Sequence, residues 1–192
     1  MIYLAPSKLN LKPSEITRDI NIDEIPMYWY NIFTTNCYAY ALGLDVDESS
    51  IAECAYQPGV MGSVIFNYPL INLKNMSTEE KIFLDMEALK IRIKEANPSD
   101  NGDYRLFHKK DNETVSSISF SWIISLYENE NDLNDFHFAR KTDTGIWYHK
   151  EGYSNKPTSY DNDRNRIIDP RNCNLGDYKY KKSFKLSLNR EC

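Results

Sequence analysis

Residues Ser116–Glu128, SSISFSWIISLYE, are rich in β-branched and aromatic side chains, the composition of a strand buried in the middle of a sheet. Two more strand-like stretches follow, DFHFARK (Asp135–Lys141) and GIWYHKEG (Gly145–Gly152), separated by Thr142-Asp143-Thr144. Another strand is expected within Tyr178–Leu188, where lysines alternate with Tyr, Phe and Leu as on an edge strand guarded by outward charge. Strands joined by so few residues can only run antiparallel. Upstream the pattern is helical. Ser77 and Glu80 form an S-x-x-E capping box, and Ile82, Leu84, Met86, Leu89, Ile91 and Ile93 supply an apolar face for a helix over Thr78–Ala96, ended by Asn97-Pro98. A helical half followed by an antiparallel sheet is an α+β domain.

The chain's 192 residues fit one such domain, spanning 1–192, with a core large enough to need no metal or disulfide. Pro6, Pro13 and Pro26 and the lack of periodicity mark 1–30 as an extended N-terminal arm. AYQPGVMGS reads as a turn, and NPSDNGDYRLFHKKDNE as a polar loop or hairpin. The net charge of −5 argues against nucleic acid as a partner, because displacing counterions takes a surplus of Lys and Arg. The opening MIYLAPSKLNLKPSE has too short an apolar run for a signal peptide, and no stretch is long enough for a membrane span, so a cytoplasmic location is expected. Cys37, Cys54, Cys173 and Cys192 form no CxxC pair and no zinc-ligand spacing, which points to free thiols with no metal or other cofactor.

One cysteine stands apart. In Asn36-Cys37-Tyr38-Ala39-Tyr40-Ala41-Leu42-Gly43, Asn36 is a natural N-cap and Gly43 a natural stop, which puts Cys37 at the mouth of a short helix. There the helix dipole favours the thiolate, the nucleophilic form. A nucleophile also needs a base. Among the three histidines, His108 lies in the polar loop, whereas His137 and His149 fall on the two strands of the hairpin. A three-residue loop, Thr142–Thr144 or Asp143–Gly145, gives paired residue numbers an even sum and sets both rings on one face. A four-residue loop would separate them. Gly145 suits the left-handed position of the shorter loop. On a shared face, His137 can take the thiol proton while His149 holds its ring in orientation. Asp169, in the Asp169-Pro170-Arg171 stretch, competes with His149 for that orienting role.

The helix-opening Asn-Cys, a later strand bearing His, and a further polar residue about a dozen positions on resemble the papain-like superfamily, and within it the NlpC type of cysteine hydrolase. DFHFARKTDTGIWYHKEG and Asp169-Pro170-Arg171 are similar to uncharacterised NlpC-like proteins of bacteria, phages and large DNA viruses. The resemblance covers the Cys37 helix and residues 117–171, about a third of the chain. It implies a Cys-bearing helix on an antiparallel sheet and a peptide, acyl or peptidoglycan-like substrate. The residues implied are Cys37 as nucleophile, His137 as base and acid, and His149 as orienter. Asn31, six residues before the cysteine, and Asn36 are implied oxyanion donors, with Tyr28 and Tyr30 nearby. Asp169 and Arg171 are substrate-carboxylate candidates. The chain departs from the family where Tyr38-Ala39 replaces the usual Ser-Gly. A second reading stays open, in which Cys37 is a buried inert thiol and the chain is an interaction, effector or anti-defence protein with a vestigial triad.

Overall fold

The computed structural model describes residues 2–4, 36–42, 44–46, 57–67, 69–102, 117–132, 134–142, 144–151 and 157–191. Its centre is an antiparallel sheet built from β3 (Arg92–Ala96), β4 (Ser117–Asn129), β5 (Phe136–Lys141), β6 (Trp147–His149) and β7 (Tyr178–Glu191), in the spatial order β3-β7-β4-β5-β6. A separate ribbon pairs β1 (Ile2–Leu4) with β2 (Leu44–Val46). The described helices are α1 (Cys37–Leu42), α2 (Val60–Ile65) and α3 (Thr78–Ala88), with a 3-10 segment at Leu70–Asn75. The class is α+β.

β4 runs through the middle of the sheet, as its composition requires, and both of its faces are covered. Trp122, Ile124 and Leu126 join Phe138, Phe184 and Leu186 on one face, where α1 lays down Tyr38, Ala39, Ala41 and Leu42 and α3 adds Ile82 and Met86. The other face carries Ile123, Tyr127, Ala139 and Trp147 beneath Ile167 and Leu175. Each large side chain buried this way contributes about 1.5–3 kcal/mol of transfer free energy.

Three sequence expectations need correction. The capping box forms as expected, with Glu80 N–H donating to Ser77 Oγ and Ser77 N–H to the Glu80 carboxylate, but the helix ends at Ala88. Lys90 adopts a left-handed conformation, φ 56°, and the Ile91 and Lys90 N–H groups close on the carbonyls of Met86 and Glu87. That is a Schellman stop made without glycine. It releases Ile91 and Ile93 from the helix, and Ile93 enters strand β3. β7 is not an edge, because β3 and β4 flank it on both sides. Three of its lysines find acidic neighbours instead, Lys179 at Glu130, Lys181 at Glu128 and Lys182 at Glu79 and Glu95. The Pro-Gly turn at Gln57–Gly59 leads directly into α2, whose Gly62 lies so close to α3 that an added Cβ would meet Leu84 Cγ at 2.5 Å.

One buried carboxylate fastens this half together. Asp85 on α3 accepts hydrogen bonds from Tyr38 Oη at 2.9 Å and from the N–H groups of Gly59 and Gly62 at 2.7 Å each. It therefore ties α1, the turn before α2 and α2 itself to one side chain.

Candidate active site

Asn36 caps α1 as its residue type suggests: Oδ1 accepts the Ala39 N–H at 2.9 Å, and its carbonyl accepts the Tyr40 N–H at 3.0 Å. Cys37 is thus the first helical residue. Its thiol donates a long hydrogen bond, 3.9 Å, to the carbonyl of Phe136, the residue before His137. β6 pairs with Ala139–Lys141, so the sulfur meets β5 just past the end of that pairing.

Backbone N–H groups of Phe138, Tyr38 and Cys37 favour the thiolate, but burial outweighs them. Cys37 is only 7% exposed, and desolvation pushes the thiol up to about 12. The expected lowering by the helix terminus is overridden in the resting molecule. Three N–H dipoles do not offset loss of water around a charge.

The hairpin has the shorter loop. Thr142 N–H donates to the Ile146 carbonyl at 2.8 Å, and Gly145 is left-handed with φ 85°. The register pairs Ala139 with His149 and Lys141 with Trp147, an even sum. His137 and His149 accordingly share a face, diagonally offset, with His137 Nε2 and His149 Nδ1 2.9 Å apart. His149 Nε2 lies 3.0 Å from the carbonyl oxygen of Tyr160.

These contacts fix the tautomers by chemical necessity. A carbonyl only accepts, so His149 carries its proton on Nε2. Its Nδ1 is then the acceptor, and His137 must donate from Nε2, which leaves His137 Nδ1 as a lone pair. Burial, with His149 beside it, lowers His137 to about 3, against the opposing pull of Asp135. His149 is lowered chiefly by burial as well. Both rings are neutral at pH 7, and burial leaves His137 a weak base in the resting molecule.

The segment carrying the Tyr160 carbonyl is itself held. His149 and Thr158 exchange backbone hydrogen bonds, and the Asp161 carboxylate accepts from the N–H groups of Asp163, Asn165 and Asn174. Asp135 receives Tyr178 Oη at 2.7 Å and Asn129 Nδ2 at 2.9 Å, and the Tyr178 ring stands 5.3 Å from that of His137.

The structure therefore brings the two rings into contact and sets the sulfur against the backbone beside His137. The approach differs from the expectation. Phe136 and Phe138 face α1, whereas His137 and His149 lie on the opposite face of the sheet, and the resting thiol proton is directed at Phe136 rather than at an imidazole. The ring in contact with that of His137 belongs to His149. Asp169 instead forms a fork with Arg171, 2.6 Å at its shortest, on the exposed turn that begins at Asp169. Asn36 spends its side-chain oxygen on the cap. Asn31, Tyr28, Tyr30, His108, Cys54 and Cys192 lie outside the described residues. Cys173 packs by Tyr127, its sulfur 3.5 Å from the phenol oxygen.

Sequence reasoning missed Asp135, Tyr178, the Tyr160 carbonyl and Lys150. Lys150 was the most accessible of these, since it directly follows His149 on a strand. Among the described residues, no helix is long and apolar enough to cross a membrane, and no group of three or more His, Cys, Asp or Glu residues is placed to hold a metal ion. Comparisons with protein-family models, with curated proteins and with solved structures find no match.

Proposed function

We propose that the chain is a cysteine hydrolase or acyl transferase of papain-like, NlpC type, acting on an amide or ester carbonyl of a peptide, acyl or peptidoglycan-like substrate. The observation that carries this reading is the relay from His137 through His149 to the Tyr160 carbonyl, which leaves His137 Nδ1 as the basic atom. Two imidazoles spent on a closed hydrogen-bonded chain beside a helix-opening cysteine make an uneconomical core, whereas they make a serviceable base and orienter.

The reaction needs a rearrangement at the Phe136 end of β5, because the resting sulfur and the His137 ring lie on opposite faces of that strand. It starts when the Cys37 S–H then reaches His137 Nδ1. The sulfur attacks the carbonyl carbon, the resulting oxyanion is held by backbone N–H groups, and the imidazolium returns the proton to the leaving amine or alcohol. Water, or another nucleophile in a transferase, then releases the acyl group from Cys37. Because the resting pair is thiol and neutral imidazole, proton transfer accompanies attack instead of preceding it.

The second reading, a binding protein with an inert triad, draws on the burial of Cys37. The test is incubation with a panel of amide, ester and peptidoglycan-fragment substrates, with water or an added amine as acceptor. Acyl release that vanishes in Cys37→Ala supports the enzyme. Retention of ligand with no turnover by wild type supports the binding protein.

A further inference from the structure

Lys150 is 1% exposed, a rare condition for a lysine. It directly follows β6, which ends at His149, and carrying the alternation of that strand one residue further sets it on the side opposite the His149 ring that faces His137. That is the side of Arg140, which lies over the Trp122 ring, and of α1 with Cys37 at its start. The histidines thus approach β5 from one face, while the lysine lies on the face that carries the cysteine.

We propose that Lys150 is a positioning residue for the thiolate: its ammonium stabilises the Cys37 sulfur as the thiol proton leaves. The inference rests on the proposed reaction, in which the sulfur gains negative charge inside a dry site. A buried cation on the same side as a buried thiol supplies what the N–H groups of α1 and Phe138 alone do not, a full opposite charge. Burial lowers the Lys150 ammonium to about 8, and Cys37 is the group that pulls it back up. The lysine is therefore charged at pH 7 and loses its charge within one to two units above.

The other titratable groups around the pair do not imitate that change. His137 and His149 are held below their ordinary value and Tyr178 above its own, while Asp135 and Glu151 are carboxylates. Among the described residues with a shifted titration on this side, Lys150 is the one that changes charge between pH 7 and 9.5.

The experiment is the rate of Cys37 alkylation by iodoacetamide from pH 6 to 9.5, read by peptide mass spectrometry on the folded protein. In this reaction a C–S bond forms, iodide leaves and the thiol proton passes to base. Wild type should gain about tenfold in rate per pH unit up to pH 8, then flatten for about one unit as Lys150 discharges. Lys150→Met should react about tenfold more slowly at pH 7, the low end of what an opposite charge gives, and show no flattening. Lys150→Arg should keep the pH 7 rate within about threefold and also lose the flattening, since guanidinium stays charged. Equal pH 7 rates for wild type and Lys150→Met, flattening that survives in Lys150→Arg, or no Cys37 modification in wild type would each overturn the proposal. The wild-type profile needs no variant to fold. None of these rates depends on turnover, so a molecule with the lysine effect and no acyl release would sink the enzyme reading alone.

Discussion

Asp85→Ala is the substitution whose consequence is best worked out from the structure. Three donors, the Tyr38 hydroxyl and the N–H groups of Gly59 and Gly62, lose their acceptor. A buried donor left unpaired costs about 1–3 kcal/mol. Against this stands the cost of keeping a charge where there is no water. Burial pushes Asp85 up to about 6, even though its hydrogen bonds pull the other way. A folded-state value above the unfolded one means that the folded molecule binds the proton more tightly. The stabilisation is then complete below about pH 4 and is lost as pH rises through 6. The shift of about two units is worth about 3 kcal/mol, of which about 2 falls between pH 4.5 and 7.5. Asp85→Ala should therefore destabilise the protein by about 2 kcal/mol more at pH 4.5 than at pH 7.5, measured by urea unfolding of both proteins at both pH values. Subtracting the variant from wild type removes titrations common to the two, the histidines included. A penalty independent of pH, or larger at pH 7.5, would show that the N–H donors outweigh desolvation and that the reasoning is wrong.

Other expectations follow from the same physics. In His149→Ala, His137 keeps its ring but loses the acceptor of its Nε2–H, so kcat should fall about 100-fold with KM little changed, in steady-state assays of acyl release. His137, lowered to about 3, contributes stability that is full above pH 6.5 and lost as pH falls toward 3. His137→Gln should flatten that acid limb in urea unfolding. Lys90→Gly should raise the urea midpoint by the equivalent of about 0.5–1 kcal/mol, because glycine takes the left-handed position at no steric cost.

Much of the sheet was legible because its signals are local. Residues 121–127 have the composition of a buried strand and are buried in the middle of the sheet, and parity with Gly145 was enough to put two histidines on one face. The capping box was legible for the same reason. The helix end was not, because the usual glycine is replaced by Lys90, and a continuing run of apolar residues looks helical until the backbone turns left-handed. The position of β7 was hidden because lysines that meet Glu79, Glu95 and Glu128 look the same in sequence as lysines that meet water. At the site, residue types suggested Cys37, His137 and His149. The balance between helix dipole and desolvation at Cys37, however, is a property of burial and has no sequence signature. The Tyr160 carbonyl could not have been found from residue type at all, since any residue supplies a carbonyl.

The most direct test of the central claim is to trap the acyl group. An activated acyl ester is mixed with excess folded protein, quenched in acid within seconds, and the modified residue is mapped by mass spectrometry in wild type, Cys37→Ala and His137→Ala. The account predicts one acyl group on Cys37 in wild type, none in Cys37→Ala, and formation about 100-fold slower or more in His137→Ala, the lower bound for losing a positioned base. Equal acylation of Cys37→Ala, or an undiminished rate in His137→Ala, would contradict it.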